Sequence, residues 1–425
     1  MVLILGASGF IGARVAQAAT TAGWTVRAGT RSVAEARRRA PSFDWVAADF
    51  AELTAVDAWG PLLAGVDAVI NCVGVLQDAA GDSSRIAHID GPAAMVAACE
   101  AAGVRRLVHL SAIGADEAAG TAYARDKRRT ESLIEASGLD WIVVRPSLVI
   151  AREVYGGTAL VRGLAGLPGI IPLVGADQSF RPIAIENAAT AIVEMLESAQ
   201  AGRRTIELAG PQSLTLAELV IAYRAWLGFG SARLWRIPRW LAWPALACGD
   251  VAAWLGWRSS LRTTSLRQLE YDAAGTAPAA ANARPFSAVL AQEPAGVQDR
   301  WHARLVLLRP LAVVVLGLFW VLSGLIALGP GREAAITLLQ RAGFGAASGP
   351  MEAITAALDV MLGLALWARP LTQVAAIAMA ATSLAYLAVA SLRLGALWLD
   401  PAGPWLKVLP MMVLCLVVAA TDDRR

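Results

Sequence analysis

Lysine is almost missing from this 425-residue chain: of its 37 basic residues, only Lys127 and Lys407 are lysines. Charged residues make up 17% of the chain and the net charge is +3, which argues against a polyanionic partner such as nucleic acid. The excess of arginine indicates a coding bias that replaced lysine wherever arginine serves equally well. We therefore expect the two remaining lysines to stand where arginine would not do.

Cysteine and histidine are also scarce. The four cysteines (Cys72, Cys99, Cys248 and Cys415) lie far apart, and this spacing argues against a disulfide framework and a Cys-x-x-Cys metal motif. The three histidines show no metal spacing, so we predict no metal site. Neither a basic segment nor a cleavage site precedes the first glycines, so we expect no signal peptide.

Apolar residues are abundant instead. They make up 56% of the chain, and the mean hydropathy is +0.53. These values exclude a disordered protein and point toward a membrane. The length predicts two or more domains.

Residues 1–150 alternate short apolar runs with helical stretches. Runs bounded by Gly, Asp or Ser are typical of buried parallel strands, and the intervening segments have helical spacing. We predict strands at Val2–Leu5, Trp24–Ala28, Trp45–Ala48, Ala68–Cys72, Leu107–Leu110 and Trp141–Val144, and helices at Ile11–Ala22, Gly91–Ala102 and Ala122–Ser137. This alternation predicts an α/β fold with a doubly wound parallel (Rossmann) sheet.

Three segments follow this domain. Residues 151–230 predict a small substrate lobe, with a helix at 186–198, a short strand at 205–208 and a helix at 213–228 capped by Ser213 or Thr215. Residues 231–272 are rich in tryptophan and predict either a helix in the headgroup region of a membrane or a soluble helix packed on the small lobe. Residues 273–304 have the composition of a linker.

Residues 305–425 predict an all-α, four-helix transmembrane bundle. Four apolar stretches, 305–328, 351–367, 371–392 and 405–421, approach the roughly 20 residues that a span needs. Four spans place both ends of the bundle on one side of the membrane. The basic residues on that side are Arg300, Arg304, Arg309, Arg369, Arg424 and Arg425. The basic residues on the other side are Arg332, Arg341, Arg393 and Lys407. This bias predicts a multi-pass protein of the inner (plasma) membrane, with the N-terminal domain and the C-terminus in the cytoplasm.

A glycine-rich segment joins the first predicted strand to the first helix. Its residues are Gly6, Ala7, Ser8, Gly9, Phe10, Ile11 and Gly12. In this position glycines permit a tight turn, the approach of a pyrophosphate to the backbone, and close packing of helix against strand. The helix N-terminus then faces the phosphates, so the segment predicts a dinucleotide site.

Other strand ends complete the predicted cofactor site. A site that prefers NAD has Asp or Glu after the second strand, whereas this chain has Arg31 there, which suits a 2′-phosphate and predicts NADP(H) over NAD(H). Asp49 and Phe50 follow the third strand, where the adenine would lie. Cys72, Val73 and Gly74 follow the fourth strand, where the backbone would pass the cofactor.

These motifs together resemble a known family. Residues 1–230 resemble the atypical short-chain dehydrogenases/reductases, and most of all the branch that includes the NADPH-binding accessory subunit of respiratory complex I. The resemblance rests on Gly6–Gly12, 71–75, 110–115, 123–127, 138–147 and 208–216. It covers about half of the chain.

The resemblance implies a catalytic set of Ser111, Tyr123 and Lys127. Tyr123 and Lys127 are four residues apart and share one helical face. In the family the tyrosine is the acid/base, and an adjacent ammonium lowers the pKa of its phenol. The lysine, which also holds the nicotinamide ribose, has a geometry that arginine does not reproduce. Ser111 would orient the substrate carbonyl or hydroxyl.

The membrane half resembles the DoxX-like four-helix family. The resemblance rests on Trp320–Gly324, Asp359 before Gly363, and residues 398–410. Asp359 lies within an apolar helix, with Lys407, Ser323 or Thr355 as expected partners. It predicts either a proton or quinone-headgroup site, or a hydrogen bond that joins two helices. Lys407 would reach the membrane edge or pair with Asp400.

Three functions remain open from the sequence. The first is a membrane-anchored NADP(H)-dependent oxidoreductase that acts on a hydrophobic or membrane-associated carbonyl or quinone-type substrate. The second is a non-catalytic NADPH-binding structural or sensory subunit of a membrane complex. The third is an NAD(P)-dependent epimerase or dehydratase, since extended relatives use the same three residues. Expected partners are membrane lipid, a hydrophobic small molecule or quinone, and subunits of a membrane complex.

Overall fold

The computed structural model describes residues 1–75, 83–118, 120–198, 202–257, 261–268, 275, 279–401 and 403–422. The chain divides into two compact units, and each is described separately below. The first contains Met1–Asp250 and Ser259–Ala303, and the second contains Val251–Arg258 and Arg304–Arg425. Arg424 and Arg425, which were counted toward the membrane orientation, lie outside the described residues.

A seven-stranded parallel sheet organises the first unit, as the sequence predicts. Its strands are β1 (Val2–Leu5), β2 (Val26–Thr30), β3 (Asp44–Ala47), β4 (Ala68–Asn71), β5 (Arg106–Leu110), β6 (Asp140–Pro146) and, after four short strands, β11 (Arg204–Leu208). The spatial order is β11-β6-β5-β4-β1-β2-β3. The direction of winding reverses between β1 and β4, and the loops after these two strands therefore leave a crevice at the carboxyl edge, where such sheets bind ligands.

Helices cover both faces of the sheet. They are α1 (Phe10–Thr21), α2 (Val33–Arg39), α3 (Gly60–Leu63), α4 (Gly91–Ala101), α5 (Ala122–Glu135) and, after one helix of the small lobe, α7 (Ile185–Glu197). Val2 and Ile4 of β1 belong to one apolar cluster, whereas Leu3 and Leu5 belong to another. Since side chains alternate along a strand, the two clusters lie on opposite faces of the sheet. The doubly wound prediction is confirmed.

A smaller lobe adjoins the sheet. Its elements are β7 (Val149–Ile150), α6 (Gly157–Ala165), β8 (Ile170–Leu173), β9 (Ser179–Phe180), β10 (Ile183–Ala184), β12 (Leu214–Thr215), α8 (Leu216–Trp226) and β13 (Arg233–Arg236). Thr215, not Ser213, caps α8: its hydroxyl accepts from the Glu218 amide, and the Glu218 carboxylate accepts from the Thr215 amide. The strand at 204–208, assigned from sequence to this lobe, extends the main sheet by pairing with β6.

In the described part of the segment that follows the lobe there are three helices: α9 (Arg239–Trp254), α10 (Thr263–Gln268) and α11 (Phe286–Gln292). The last lies within 273–304, which was predicted to be a linker. Phe286 is 2% exposed and belongs to the apolar cluster of the small lobe, where its ring contacts that of Tyr223 at 5.2 Å between centroids. The described part of this segment is therefore folded against the lobe. The reason is that Phe286, which follows the Ala/Pro-rich stretch, buries its apolar surface there.

The second unit is helical. Its helices are α12 (Val297–Leu328, which begins in the first unit), α13 (Arg332–Arg341), α14 (Ser348–Trp367), α15 (Thr372–Arg393) and α16 (Pro404–Ala420). Among the described residues, three helical segments are able to cross a membrane by length and composition: Val297–Leu328, Gly345–Trp367 and Arg369–Arg393. The fourth predicted span corresponds to α16, a shorter apolar helix of 17 residues.

Glycines bring α12 and α14 close together. A side chain on Gly363 would meet the Gly317 carbonyl oxygen at 2.9 Å, and one on Gly324 would meet the Ala356 carbonyl oxygen at 2.5 Å. Small residues at such contacts are typical of helices that associate in membranes. Large apolar side chains such as Leu318, Leu322 and Leu325 point outward, about half exposed, as a lipid-facing surface requires.

Candidate functional site

The segment Gly6–Gly12 forms the turn between β1 and α1. Gly6 has φ +71°, and a side chain there would lie 3.2 Å from the backbone of Cys72 and Val73. The Gly9 amide donates to the Gly6 carbonyl at 2.9 Å, and a Cβ on Gly12 would collide with that same carbonyl. Phe10 and Ile11 begin α1. The turn is therefore tight because of its glycines, and it presents a helix N-terminus that favours an anion.

A cavity of about 290 Å³ lies beside this turn. Its lining includes Ala7, Ser8, Thr30, Arg31, Ser32 and Arg39. The Ser8 and Thr30 hydroxyls are 2.8 Å apart and tie the turn to the end of β2. Arg31 is exposed at the cavity, and Arg39 of α2 pairs with Glu35 at 2.5 Å. The cavity thus joins the phosphate turn to two guanidinium groups, of which the sequence indicated only Arg31.

Asp49 and Phe50 take different places after β3. Asp49 is half-buried, and its carboxylate accepts from the Ala51 amide at 3.0 Å. The Phe50 ring is 4% exposed and lies 5.9 Å from the Trp59 ring, and a Cβ on Gly91 would collide with it. The Phe50 side chain therefore belongs to the apolar core under α4.

Cys72, Val73 and Gly74 run beside Gly6 at the end of β4. The Cys72 amide donates to the Leu5 carbonyl at 3.0 Å, and the Val73 amide donates to Asn71 Oδ1 at 3.0 Å. Burial raises the pKa of the Cys72 thiol to about 12, so the thiol stays protonated. This strand end and the glycine turn are adjacent at the reversal point of the sheet.

Lys127 reaches the same place from α5. It is 3% exposed, and its Nζ donates to the Leu110 carbonyl at 2.7 Å. A Cβ on Gly74 would lie 3.5 Å from that Nζ. Burial lowers the pKa of Lys127 to about 8, while the carboxylate of Glu131, one turn further along α5, raises it. The ammonium is therefore held between the ends of β4 and β5.

Tyr123 precedes Lys127 by one turn of α5. Burial raises the pKa of its phenol to about 12. The Lys127 ammonium, which the resemblance implies as the neighbour of this phenol, is directed to the Leu110 carbonyl. Thr121 caps the helix, with its hydroxyl accepting from the Ala124 amide at 3.3 Å, and so sets where Tyr123 enters α5.

Ser111 is the first residue after β5. Its amide donates to the Val144 carbonyl at 2.7 Å, and the side chain is buried. Within the described part of the chain, its hydroxyl has no hydrogen-bond partner. A buried hydroxyl that lacks a partner costs free energy unless a ligand supplies one. This observation fits a hydroxyl that contacts a bound molecule.

Two buried histidines, His88 and His109, were not identified from the sequence as part of the site. His88 lies in a π-helical turn (Ile86–Asp90), and its Nε2 is 2.8 Å from the Val75 carbonyl and 3.1 Å from the Val75 amide. Its ring packs edge-on against Tyr123, with centroids 5.6 Å apart.

His109 of β5 contacts Asn71 Nδ2 at 3.2 Å. Burial lowers the pKa of His88 to about 3 and that of His109 well below its ordinary value, and in both cases the nearby Lys127 ammonium adds to the effect. Both imidazoles are therefore neutral. The only sequence signal was their position in apolar stretches of a Rossmann-like segment.

Three polar residues are predicted to form a site in the membrane half: Asp359, Asp400 and Lys407. The Tyr386 hydroxyl of α15 is 3.3 Å from Asp359 Oδ1 of α14 and 3.5 Å from the Thr355 carbonyl oxygen. Asp359 is thus paired with Tyr386, and not with the side chains expected from the sequence. Lys407 is exposed in the first turn of α16, and Asp400 lies in the preceding turn. In the described ranges, no group of three or more His, Cys, Asp or Glu side chains is placed to hold a metal ion.

Family comparisons match a part of each unit. Residues 6–165 match an NAD(P)H-binding family, and residues 317–416 match the DoxX-like family. The first match contains the glycine turn and the residues Ser111, Tyr123 and Lys127. The second contains Asp359, Asp400 and Lys407.

Curated relatives match parts of the chain. The 40 kDa subunit of mitochondrial NADH-ubiquinone oxidoreductase from Neurospora crassa is 26% identical over 153 residues, which are 36% of this chain and 40% of the subunit. An uncharacterized protein of Mycobacterium tuberculosis is 27% identical over 241 residues, which are 56% of this chain and 25% of that protein. The chain thus spans less than half the length of these relatives.

Solved structures share the fold. An NADPH-dependent quinone oxidoreductase from Escherichia coli, complexed with NADPH, superposes with a TM-score of 0.50 at 19% identity, covering 69% of this chain and 99% of that one. The terminal R domain of a myxalamid biosynthetic pathway superposes with a TM-score of 0.52 at 16% identity, covering 72% and 90%. Turn, sheet and family matches agree: the chain joins an NAD(P)-binding Rossmann domain, homologous to the complex I 40 kDa subunit, to a DoxX-like domain with apolar helices.

Proposed function

We propose that this protein is a membrane-anchored, NADP(H)-dependent oxidoreductase that reduces an apolar carbonyl or quinone-type substrate. The observation that carries the proposal is that the buried Lys127 ammonium contacts the Leu110 carbonyl, next to Ser111, at the carboxyl edge of the sheet, with Tyr123 one turn earlier in α5. Ser111 has an unsatisfied hydroxyl among the described residues, and Lys127 is a buried cation. Such groups are costly to bury and concentrate at functional sites.

The residues at the edge of the sheet fit a dinucleotide. The Gly6–Gly12 turn and the α1 N-terminus would hold the pyrophosphate, because the glycines leave the backbone open there. Arg31 and Arg39 line the adjoining cavity and would hold a 2′-phosphate, since guanidinium groups bind phosphate through charge-assisted hydrogen bonds. Lys127, next to Gly74, would contact the nicotinamide ribose.

The same residues support reduction. A reduced nicotinamide, held by these residues, would supply the hydride that the carbonyl carbon needs. Tyr123 donates its phenolic proton to the carbonyl oxygen, and its pKa of about 12 keeps that proton in place until the oxygen becomes basic. Ser111 donates a hydrogen bond to the same oxygen and orients it. The Tyr123 phenolate left behind regains a proton from water.

The DoxX-like unit supports an apolar substrate. The chain carries its reductase-like unit and its apolar helices together, so the reductase-like unit stays beside the membrane. A molecule dissolved in the bilayer is then available at a high local concentration. We therefore place the substrate among lipid-soluble carbonyl compounds or quinones.

The test is turnover by the full-length protein in detergent or nanodiscs. NADPH oxidation is followed by its absorbance with a panel of quinones and apolar aldehydes and ketones. For a carbonyl substrate, Tyr123→Phe is expected to lower kcat by about a hundredfold or more while leaving the NADPH dissociation constant within about twofold, because only the transferable proton is lost. Tight NADPH binding with no oxidation across the panel contradicts the proposal.

A non-catalytic NADPH-binding subunit is the second candidate. The observation in its favour is that Lys127 Nζ is bound to the Leu110 carbonyl, and Tyr123 keeps a raised pKa, so the pair is not poised for proton abstraction. The homologous complex I subunit is itself part of a larger assembly by its name. Co-purification of other membrane proteins with the intact chain, together with NADPH binding unaffected by Tyr123→Phe and no turnover, is the result expected of this candidate.

A further inference from the structure

Helix α9 carries a stripe of exposed tryptophans. Trp240, Trp243 and Trp254 are 73%, 54% and 89% exposed, and Val251 is 55% exposed. At about 100° per residue these four side chains fall within an arc of about 80° of the helix. Large apolar side chains that are exposed together on one helix face mark an interaction surface.

Another part of the α9 surface is packed on the chain. Leu246 and Ala253 are buried, and a Cβ on Gly249 would collide with the Leu261 carbonyl oxygen. The Asp250 carboxylate accepts from Arg262 Nε at 3.0 Å and from the Thr263 hydroxyl at 2.6 Å. The helix therefore has one side packed on the chain and the tryptophan side turned outward.

The residues that follow α9 are attached to the ends of the apolar helices. The Arg369 amide donates to the Leu255 carbonyl at 2.8 Å, and Trp257 Nε1 donates to the Trp367 carbonyl at 2.7 Å. The Arg369 and Arg309 guanidinium groups lie 5.2 and 5.5 Å from the centre of the Trp257 ring. Leu255–Trp257 thus lie where α14 ends and α15 begins.

A buried carboxylate shows that this end of the bundle is its polar boundary. Asp422, which follows α16, is 1% exposed and accepts from Arg309 and Arg369. Charged groups of this kind are not stable in the hydrocarbon region, and they gather where a spanning helix reaches the headgroups. Leu255–Trp257 lie at this polar end of the bundle.

From this continuity we propose that the tryptophan stripe of α9 (Trp240, Trp243, Val251 and Trp254) lies in the bilayer, at the boundary between headgroups and acyl chains. Tryptophan prefers this depth because its ring is apolar while its indole N–H still reaches water. A helix whose outward face is tryptophan and whose inward face is packed on protein suits a position in the interface plane, with no need to span.

The test uses the full-length chain in nanodiscs of phosphatidylethanolamine and phosphatidylglycerol. In a Cys248→Ser background, single cysteines at Trp243 and Trp254 carry an environment-sensitive fluorophore. Brominated acyl chains are expected to quench both labels, and emission is expected to shift to the blue. Leu325→Cys on α12 is the positive control for lipid contact, and Thr20→Cys on the exposed side of α1 is the matched aqueous control.

Quenching at positions 243 and 254 comparable to that at position 325 supports the proposal. Labels at 243 and 254 that behave like the label at position 20, while position 325 is quenched, overturn it. So does cross-linking of the two cysteines to a second copy of the chain or to another protein without lipid quenching, because the stripe is then a protein contact.

Discussion

Lys127 shows at the residue scale why one lysine persists in a chain that otherwise uses arginine. Its Nζ is enclosed by the Leu110 carbonyl at 2.7 Å and by Gly74, whose added Cβ would lie at 3.5 Å. A guanidinium is planar and larger, and it cannot enter this space without displacing the end of β4. Lys407 is exposed, so the same argument does not extend to it.

The substitution Lys127→Arg is therefore expected to weaken NADPH binding by about tenfold or more, equivalent to at least about 1.4 kcal/mol. Titration of NADPH fluorescence measures the dissociation constant. Arg105→Lys is the matched control, because Arg105 is exposed and should accept lysine with less than about a twofold change. Wild-type affinity in Lys127→Arg contradicts the argument from the scarcity of lysine.

At the same scale, the proposal assigns the choice of NADP(H) over NAD(H) to Arg31. Replacing Arg31 by Ala removes a cation from the cavity beside the glycine turn. Affinity for NADPH is expected to fall about tenfold or more, while affinity for NADH stays nearly constant, because only NADPH carries the 2′-phosphate. Parallel titrations with the two cofactors measure the ratio. Equal loss for both would mean that Arg31 supports the fold or the pyrophosphate instead.

At the element scale, the π-helical turn and β5 bring two neutral imidazoles against the end of β4. His88 holds the Val75 backbone, and His109 holds Asn71, whose Oδ1 in turn accepts from the Val73 amide. The loop that must pass the cofactor is thus positioned by histidines from two different elements. Neutral imidazole is required, since a second cation would face the Lys127 ammonium.

These two buried, neutral histidines predict that the folded protein loses stability in acid. The pKa of His88 is about 3 in the folded protein, below its ordinary value, so the unfolded chain binds more protons as the pH falls below about 6.5. Stability is then full above about pH 6.5 and is lost toward pH 3, by up to about 1.4 kcal/mol per pH unit for each histidine. The melting temperature of the intact protein, measured between about pH 7 and 5, avoids most carboxylate titration.

His88→Gln should flatten this decline, because glutamine can keep the contact with Val75 and does not titrate. At about pH 8, both histidines are neutral in the folded and in the unfolded protein. The melting temperature of the variant at that pH therefore measures the stability lost through changed packing alone. If the melting temperature of the variant falls between about pH 7 and 5 as steeply as that of the wild type, groups other than His88 cause the loss of stability in acid.

At the scale of the whole molecule, the ends of the apolar helices define one side of the bundle. Arg309, Arg369 and Asp422 meet there, so the start of the apolar part of α12, the α14–α15 connection and the end of α16 lie at one end. This is the side that arginine content predicts to face the cytoplasm. The opposite end carries Arg393 and the turn before α16.

The orientation can be measured with thiol labelling in a bacterial host. In a Cys248→Ser background, Thr20→Cys is expected to react with a membrane-impermeant maleimide in inverted vesicles and not in intact cells. Leu399→Cys, which is 89% exposed and lies in the turn before α16, is the opposite control and should react from outside the cell. The reverse pattern would place the dinucleotide unit outside the cytoplasm.

Sequence reasoning recovered most elements and missed several contacts. Strand and helix positions followed from apolar periodicity and glycine turns, which act over a few residues and are visible along the chain. The pairing of 204–208 with β6, the fold of 286–292 against the small lobe and the partner Tyr386 for Asp359 were missed. Each joins segments distant in sequence, or depends on which face of a helix meets a neighbour.

The sequence by itself determined a dinucleotide turn at Gly6–Gly12, a doubly wound sheet and a helical half with apolar spans, because local backbone chemistry and hydrophobic period specify these features. Only the tertiary structure decided that Lys127 is bound to the Leu110 carbonyl, and that His88 and His109 contact the chain at and after the end of β4. It also decided that α9 turns its tryptophans outward. These outcomes depend on how packed elements meet, since burial and hydrogen-bond partners arise only when distant segments enclose one another.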